Sequence, residues 1–261
     1  IAYVGKKIRQ FSEKDVSVVH QNLDDRELYR PGIRTLEWAY DFLISKQYIE
    51  EKDANKFDDY LLVDEENSRM KVLLKGQQSD KIDLIMRTGE IIEQLKNEVE
   101  TNKHDITIIG GGGNKGIHQK LVQFIDSSVF VVKNYSVSKR YKILLPVNDS
   151  KGSDMAIETA VNFAKSYKLN VEIVSVPEAK KSNEEVEKIL CKTKEKFLKN
   201  NIKASTKLID GSPVNSIVDY AKDDSIVILG VSPKNPVMKY FFGSKPLSIA
   251  QKCNCPVLIT K

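Results

Sequence analysis

The second half of the chain alternates short apolar runs with segments whose apolar residues recur at helical spacing. Such runs are typical of strands buried on both faces of a sheet, and they occupy residues 141–147, 171–176, 206–209, 225–229 and 256–260. Strict alternation of strands and helices predicts a parallel sheet with helices on both faces and right-handed crossovers. Ligands of such sheets bind at the carboxyl ends of the strands where the strand order reverses, which is expected here beside the first and fourth strands.

The first half of the chain repeats much of this element order. Three of its segments align, in the same order along the chain, with segments of the second half. They are 84–89 with 206–211, 106–109 with 226–229 and 116–132 with 243–259. The alignment matches Gly89 to Gly211 and Gly110 to Gly230. An element order that occurs twice indicates two copies of one fold, so we expect one domain at 1–138 and a second at 139–261.

The first copy differs from the second at its start. Residues 1–12 align with residues 156–167, which lie in the first predicted helix of the second copy. We therefore expect a helix at residues 1–12 and no counterpart of the strand at 141–147. Because a central strand is not dispensable, this predicts a chain that lacks its natural N-terminus.

The first copy also carries an insertion of about residues 21–80 between its second and third strands. Residues 28–43 have helical periodicity, and Trp38 and Phe42 are the expected packing anchors of that helix. The acidic stretch 53–66 is expected to form a surface helix or loop. No function is predicted for this insertion.

The segment after the fourth strand of the second copy holds the most specific motif of the chain. Gly230 and Pro233 are separated by two residues, Pro233 and Gly243 by nine, and Ser244 follows directly. This pattern resembles the loop Gly-x2-Gly-x9-Gly-Ser/Thr of the universal stress protein family. Residues 254–259 also resemble that family's closing strand, Cys-Pro-Val-Leu-Val.

This resemblance implies an α/β fold of two flavodoxin-like lobes, of the adenine nucleotide alpha hydrolase type. Each lobe would hold a parallel five-stranded sheet of order 3-2-1-4-5 with helices on both faces, complete in residues 139–261 and degenerate in 1–138. The last strands often pair across a two-fold axis in this family, so residues 129–133 and 256–260 are expected to pair as an intramolecular pseudo-dimer. Such pairing would protect both edge strands, and a further homodimer stays open.

The glycines of the loop have a physical role in nucleotide binding. Glycine lets the backbone approach a phosphate closely, successive N–H groups form an anion-binding concavity, and a helix N-terminus favours negative charge. The resemblance implies an ATP or AMP site in the C-terminal domain only. Its residues would be Val147, Asn148 and Val176 at the base, and Gly230, Pro233, Gly243 and Ser244 at the phosphates.

Two residues of this set depart from the family pattern. Pro233 stands where the family has its second glycine, and proline offers no N–H and has a fixed φ. Asn148 stands where the family usually has an aspartate after the first strand. This second change is milder, because an asparagine side chain can both accept and donate hydrogen bonds at a base.

The corresponding loop of the first copy is shorter and matches a different fingerprint. Gly111, Gly113 and Gly116 fit the Gly-x-Gly-x-x-Gly dinucleotide pattern. That fingerprint belongs on the first strand–helix turn, with an acidic residue about 20 positions later. Here the glycines follow the fourth strand and the strand at 129–133 ends in a lysine, so we predict a tight turn without a ligand.

Composition excludes several classes of function. The apolar runs are too short to span a bilayer and no signal peptide is visible, so we expect a cytoplasmic protein without a membrane segment. Cys191, Cys253 and Cys255 form neither a disulfide framework nor a metal site with ligand spacing, so no metal is required. The 21 basic against 13 acidic residues of 139–261 would suit an anionic ligand, but lysines spaced among glutamates are typical of a solvated surface, not of a nucleic-acid patch.

The sequence shows no paired carboxylates, metal cluster or nucleophile elbow, so no catalysis beyond slow ATP hydrolysis is predicted. The leading hypothesis is a stress-response or regulatory protein whose C-terminal domain binds an adenine nucleotide. Two alternatives stay open. One is an interaction or dimerisation module that binds no nucleotide, and the other is the cytosolic regulatory domain of a membrane transporter.

Overall fold

The computed structural model describes residues 1–5, 32–49, 63–65, 69–74, 82–112, 115–177, 182–231 and 245–261. The chain divides into two compact units, Ile1–Glu98 and Val99–Lys261, and each has its own β-sheet. None of the described helices is both long enough and apolar enough to cross a bilayer.

The described part of the first unit comprises β1 (Ala2–Gly5), α1 (Ile33–Ser45), β2 (Val63–Glu65), β3 (Arg69–Leu74), β4 (Ile82–Thr88) and most of α2 (Ile91–Asn102). The described part of the second unit comprises β5 (Ile106–Gly110), α3 (Lys115–Phe124), β6 (Ser128–Val132), β7 (Lys142–Pro146), α4 (Lys151–Tyr167), β8 (Val171–Ser175), α5 (Asn183–Lys199), β9 (Ala204–Leu208), α6 (Pro213–Tyr220), β10 (Ser225–Gly230), α7 (Lys245–Lys252) and β11 (Val257–Thr260).

The second unit contains a seven-stranded sheet in the order β5-β6-β11-β10-β7-β8-β9. All neighbouring strands pair in parallel except β6 and β11, which are antiparallel. From β9 to β11, the five strands after residue 141 follow the order 3-2-1-4-5. Parallel neighbours joined by helices produce the α/β layering that the alternating sequence predicted.

The antiparallel pair β6–β11 joins two groups of strands into this sheet. Val131 lies opposite Val257, and Val129 lies opposite Ile259. The predicted pairing of the two last strands is therefore confirmed. Each strand pairs the backbone N–H and C=O groups that the other would expose at the edge of a sheet. The predicted parallel five-stranded sheet of residues 1–138 is not confirmed, because β5 and β6 are the described strands of that segment in this sheet, whereas β1 to β4 form another sheet.

The first unit contains a four-stranded mixed sheet in the order β1-β4-β3-β2, not the predicted parallel lobe. β1 pairs in parallel with β4, whereas β3 pairs antiparallel with both β4 and β2. The segments that join β2 to β3 and β3 to β4 are three and seven residues long. A parallel pair needs a crossover of about a dozen residues or more, so these short connections require antiparallel pairing.

The predicted helix at residues 1–12 is wrong for the part that the structure describes. Ala2–Gly5 form β1, in which Ala2 lies opposite Ile85 and Val4 opposite Arg87. The rest of that prediction lies outside the described residues. A run of four apolar and small residues is too short for its periodicity to distinguish a strand from a helix.

Helix α1 packs through a different stripe from the predicted one. Its buried residues recur at helical spacing and are Ile33, Leu36, Ala39, Tyr40 and Leu43. The side chains of Trp38 and Phe42 are 66% and 43% exposed, and their rings stack with centroids 5.6 Å apart. Both therefore lie on the opposite face of α1, and the prediction that they anchor the helix is wrong.

Two apolar clusters lie on opposite faces of the seven-stranded sheet. One contains Leu144 and Val227 together with residues of α7, and the other contains Ile143 and Ile228 together with residues of α4. Successive residues of β7 and β10 thus contribute to opposite clusters, as the alternation along a strand requires. The strands β7 and β10 are buried at the centre of the sheet, and α4 and α7 pack on its opposite faces.

Candidate functional site

A cleft of ≈ 460 Å³ lies at the carboxyl ends of β7, β8 and β10. The chain passes from β7 into α4 on one face of the sheet, and the next described helix after β10 is α7 on the other face. Neighbouring strands whose helices follow on opposite faces form a topological switch point, where open α/β sheets bind their ligands. The volume falls within the range of about 300–1,000 Å³ found for ligand pockets.

Four of the seven residues predicted for the site line this cleft, namely Val147, Asn148, Val176 and Gly230. They come from three different strand ends, so the fold brings together residues that are up to 83 positions apart in the sequence. Pro233, Gly243 and Ser244 lie outside the described residues. The three residues predicted to contact the base therefore lie in one cleft with Gly230, which was predicted to contact the phosphates.

Asn148 is held by hydrogen bonds to the start of α4. Its Oδ1 accepts hydrogen bonds from the backbone N–H of Ser150 at 3.1 Å and from the hydroxyl of Ser153 at 2.8 Å. The backbone N–H of Asn148 donates to the Ser153 Oγ at 2.8 Å. The Ser150 side chain in turn caps α4 by accepting from the Ser153 N–H, which is a common N-cap arrangement. These bonds fix the loop between β7 and α4.

Val147 and Val176 form part of the wall of the cleft beside this loop. The Val147 N–H donates to the Val174 carbonyl at 2.8 Å, and the Val147 carbonyl accepts from the Ser175 hydroxyl at 2.8 Å. With these main-chain groups paired, Val147 presents apolar surface from a fixed backbone. Val176 follows directly after β8 and is half-buried, so it offers further apolar area to a ligand.

Three described helices begin at the cleft and contribute residues to its lining. Ser150 caps α4, Pro213 is the first residue of α6, and Lys245 is the first residue of α7. The free N–H groups and the dipole of a helix N-terminus favour an anion. The end of the cleft near α7 also carries the positive charge of Lys245.

Ser153 and Lys245 are among the lining residues that sequence reasoning missed. Ser153 belongs to the polar turn after the first predicted strand, and its spacing of three from Ser150 is a usable sequence signal for a cap. Lys245 directly follows the predicted phosphate serine, Ser244. Its position in the sequence, beside an expected phosphate and at the start of a predicted helix, could therefore have indicated a phosphate contact.

A second cavity of ≈ 670 Å³ lies beside the described glycines at the end of β5 and in the first turn of α3. Gly111 and Gly116 line this cavity, and so does Lys133. The Lys133 Nζ donates to the carbonyls of Ala250 at 2.6 Å and Cys253 at 3.1 Å. A cation that binds the last carbonyls of a helix stabilises that helix end, so the lysine that argued against a dinucleotide site serves as a cap for α7.

Comparison with known proteins assigns this part of the chain to a family. The model of the universal stress protein family matches residues 139–261. Residues 139–261 are a universal stress protein domain. The match covers β7 to β11 with their helices, and thus every described residue that lines the cleft.

Two curated universal stress proteins are similar to the chain. One from Methanocaldococcus jannaschii is 25% identical, and the alignment covers 46% of this chain and 81% of the relative. The universal stress protein YxiE of Bacillus subtilis is 26% identical, with 46% of this chain and 98% of the relative covered. A crystal structure of a universal stress protein from Archaeoglobus fulgidus DSM 4304 is 18% identical, covers 67% of each chain and has a TM-score of 0.54, which shows a shared fold.

The described lining of the cleft combines apolar walls with a few polar groups. Among the described residues of the cleft, the ionisable side chain is that of Lys245, and the others are apolar, amide or hydroxyl groups, prolines and Gly230. Apolar walls with a few convergent polar groups are typical of small-molecule sites. Such a lining can hold an apolar ring against Val147 and Val176 and an anion near Lys245.

Proposed function

We propose that the universal stress protein domain binds an adenine nucleotide and that the chain acts as a stress-response or regulatory protein. The observation that carries this proposal is the cleft at the switch point, which gathers Val147, Asn148, Val176 and Gly230. ATP and AMP are the ligands to test first, because the resemblance of the sequence implies them.

The base is expected to lie between the ends of β7 and β8. There Val147 and Val176 provide apolar surface, and Asn148 provides an amide group at the edge of that surface. Burying the faces of a planar ring against aliphatic side chains gains roughly 25 cal/mol for each Å² removed from water. A polar group at the rim then orients the ring.

The phosphates are expected to lie toward Gly230 and the start of α7. Lys245 supplies a positive charge at this end of the cleft, and Gly230 offers backbone without a side chain. Gly243 and Ser244, as the residues just before α7, remain predicted phosphate ligands. The predicted role of Pro233 is confined to loop shape, since it has no N–H to donate.

Isothermal titration of ATP and AMP into the purified chain tests this proposal. Wild type should bind one nucleotide per chain, because one domain carries the cleft. Val176→Glu should weaken binding by at least about tenfold, or about 1.4 kcal/mol, because a carboxylate would replace part of the apolar wall and repel the phosphates.

Val137→Glu is the matched control for this experiment. Val137 is 91% exposed and does not line the cleft, so the same change there should leave the affinity within about twofold. Circular dichroism should show that both variants are folded. Wild type without measurable binding, or Val176→Glu with wild-type affinity, would contradict the proposal.

We also propose that residues 1–138 are a diverged second copy of the domain. In the strand order β5-β6-β11-β10, β6 corresponds to β11 and β5 corresponds to β10 on the two sides of the antiparallel pair. Helices α3 and α7, which precede β6 and β11, contact each other, and Val122 of α3 and Leu247 of α7 share one apolar cluster. An approximate two-fold axis between β6 and β11 would produce this arrangement.

A second candidate function is a self-association module in the first unit. It is favoured by Trp38 and Phe42, which expose stacked aromatic rings on α1, because exposed aromatic area is typical of protein interfaces. Sedimentation should show wild-type dimers and Trp38→Ser monomers if this candidate is correct. A wild-type monomer at high concentration would contradict it.

A further inference from the structure

A groove of ≈ 750 Å³ lies on the face of the seven-stranded sheet that α4 covers. Its floor comes from β5, β6, β11 and β10, and its lining includes Phe163 and Tyr167 near the end of α4. We call it the β5 groove. It shares no described lining residue with the cleft at the carboxyl ends of β7, β8 and β10, so it is a separate site that does not depend on the proposed nucleotide binding.

The floor of the β5 groove is open because the two copies of the fold differ above it. Ile106 and Ile108 of β5 align with Ile226 and Ile228 of β10. In β10 these positions are 6% and 0% exposed, and Ile228 belongs to the apolar cluster that contains residues of α4. In β5 they are 44% and 67% exposed. Within the described part of the chain no counterpart of α4 covers β5, so its aliphatic side chains are accessible to a ligand.

Aromatic rings form the walls of the β5 groove. Phe130 of β6 meets Phe163 of α4 edge to face with ring centroids 6.0 Å apart, and Phe163 lies 4.6 Å from Tyr167. Tyr135 and Tyr141 stack with centroids 5.1 Å apart, and all five rings line the groove. Rings and isoleucines together form a surface that favours an apolar ligand, because binding removes apolar area from water.

The β5 groove is elongated across the sheet. Its lining includes residues of four strands that are neighbours in the order β5-β6-β11-β10. Neighbouring strands lie about 4.8 Å apart, so these four span about 14 Å, which is about the length of an extended ten-carbon chain. The volume also falls within the range of about 300–1,000 Å³ found for ligand pockets.

The positive charges of the β5 groove lie at one end of it. The basic residues of the described lining are Lys139 and Arg140, just before β7, and Lys168, just before β8. The strands β7 and β8 are parallel neighbours that begin side by side, with Ile143 opposite Val171, and β7 also pairs with β10. The three cations therefore lie beyond β10, at the end of the groove away from β5.

Two of these cations are available to an anionic ligand. Lys139 Nζ lies 2.7 Å from Asp223, whereas Arg140 and Lys168 are exposed and have no acidic partner within the described residues. The described lining of the groove contains no aspartate or glutamate. An anion at this end would meet complementary charge without repulsion from an acidic lining.

We propose that the β5 groove binds a single-chain carboxylate of the fatty-acid type. Its alkyl chain would lie along Ile106 and Ile108, and its carboxylate would lie near Arg140 and Lys168. A chain with one anionic end matches the order of apolar area and positive charge along the groove. A second copy of this protein fits less well, because an isologous contact through this face would bring the cations of both copies into one interface.

Isothermal titration of octanoate, decanoate and decyltrimethylammonium, each below its micelle concentration, tests the proposal. Each CH2 group removed from water can tighten binding by up to about fourfold, so decanoate should bind several-fold more tightly than octanoate. Decyltrimethylammonium carries the same ten-carbon chain on a cation. It should bind at least about tenfold more weakly than decanoate, because the basic end of the groove repels it.

Ile108→Glu tests the place of the alkyl chain. The new carboxylate would lie on the apolar floor and should weaken decanoate binding by at least about tenfold, because a charge loses its hydration when the chain covers it. Leu198→Glu is the matched control, since Leu198 is 53% exposed on α5 and does not line the groove. It should bind decanoate as wild type does.

The double variant Arg140→Gln with Lys168→Gln tests the place of the carboxylate. It should weaken decanoate binding by about fivefold, since exposed charge pairs are individually weak. The control is Lys188→Gln with Lys192→Gln, which removes the same charge from exposed positions on α5 outside the groove. An equal loss of affinity in both double variants would overturn the role of Arg140 and Lys168.

Three further results would contradict the proposal. Equal affinity for decanoate and decyltrimethylammonium would exclude recognition of a carboxylate, and wild-type affinity in Ile108→Glu would exclude the floor of the β5 groove as the site. Absence of decanoate binding would overturn the proposal as a whole. If sedimentation then showed a wild-type dimer and an Ile108→Glu monomer, this face would instead bind a second copy. Titration of ATP should give the same result in every variant, so failure here is distinct from failure of the proposed function.

Discussion

Gly230 at the end of β10 touches the backbone of Gly152 in the first turn of α4. A Cβ atom placed on Gly230 would overlap the carbonyl group of Gly152, and that contact is with backbone rather than with a movable side chain. The φ of Gly230 lies outside the left-handed region. The need for glycine therefore comes from the close approach of β10 and α4 at the floor of the cleft.

Gly230→Ala should destabilise the second unit by about 1–3 kcal/mol, the usual cost of overpacking a rigid contact. Hydrogen exchange of the β10 amides measures this change. Gly110→Ala is the matched control, because Gly110 aligns with Gly230 and a Cβ there meets no described atom within 4 Å. Equal loss of protection in both variants would contradict this account of Gly230.

Glu98 should be among the most sensitive positions of the first unit. Its carboxylate is 3% exposed and accepts from the Nε of Arg69 at 2.9 Å and from the Nε of Arg87 at 2.7 Å. Burial alone would raise the pKa of Glu98, but these hydrogen bonds and charges outweigh it and hold that pKa below the ordinary value of 4.5. Glu98→Gln would remove the negative charge that the guanidinium groups of Arg69 and Arg87 both contact.

We therefore expect Glu98→Gln to cost about 3–5 kcal/mol, as for other broken buried ion pairs. The β3 and β4 amides should lose protection from hydrogen exchange while those of β7 to β10 keep theirs. Glu93→Gln, at an exposed site on the same helix, should cost less than about 1 kcal/mol. Similar effects of the two substitutions would contradict the buried network.

Tyr220, Glu172 and Lys142 link α6 to the neighbouring strands β8 and β7. The Tyr220 hydroxyl donates to Glu172 Oε1 at 2.5 Å, and Lys142 Nζ lies 2.9 Å from Glu172 Oε2. The hydrogen bond to Glu172, with burial, raises the pKa of Tyr220 from 10.0 to about 12. The resulting stabilisation is fully present below pH 10 and is lost as the pH rises through about 12.

An ultraviolet titration can measure this pKa directly. The difference between wild type and Tyr220→Phe should show one tyrosine that ionises near pH 12. Glu172→Gln should move that ionisation back toward 10, whereas Glu158→Gln, at an exposed site on α4, should not. Ionisation of Tyr220 at its ordinary pKa in wild type would contradict the hydrogen bond.

The two faces of α1 should respond differently to truncation. Leu36→Ala should destabilise the first unit by about 2–5 kcal/mol, because Leu36 is fully buried. Trp38→Ala should cost about 1 kcal/mol or less, since Trp38 is 66% exposed. Hydrogen exchange of the β4 amides gives both values. Quenching of tryptophan fluorescence adds a check, because the chain has one tryptophan. A ring shielded from the quencher would contradict the exposed position of Trp38.

The sequence predicts the second unit better than the first for a physical reason. Strands such as β7 and β10 are buried on both faces, so their sequences are continuous apolar runs. The helices between the strands begin at strong capping signals such as Ser150 and Ser212-Pro213. Each signal is local and can be read within about ten residues. These strand ends predict the edge of the sheet where a ligand is expected, whereas the choice of Val147, Asn148 and Val176 came from the resemblance to the universal stress protein family.

The first unit depends on contacts that a local pattern does not contain. Glu98 is a charged residue in a helix, and its burial depends on arginines 11 and 29 residues away. Helix α1 carries apolar residues on two sides, so its periodicity does not show whether Leu36 or Trp38 faces the core. The mixed sheet likewise follows from short connections rather than from strand composition.

The central claim is that an adenine nucleotide occupies the cleft at the ends of β7 and β10. Backbone amide chemical shifts recorded during a titration with AMP test it most directly. The account predicts saturable shifts at Val147, Asn148, Val176 and Gly230, with β9 and the exposed residues around Val137 unchanged. Shifts confined to other surfaces, or none at millimolar nucleotide, would contradict it.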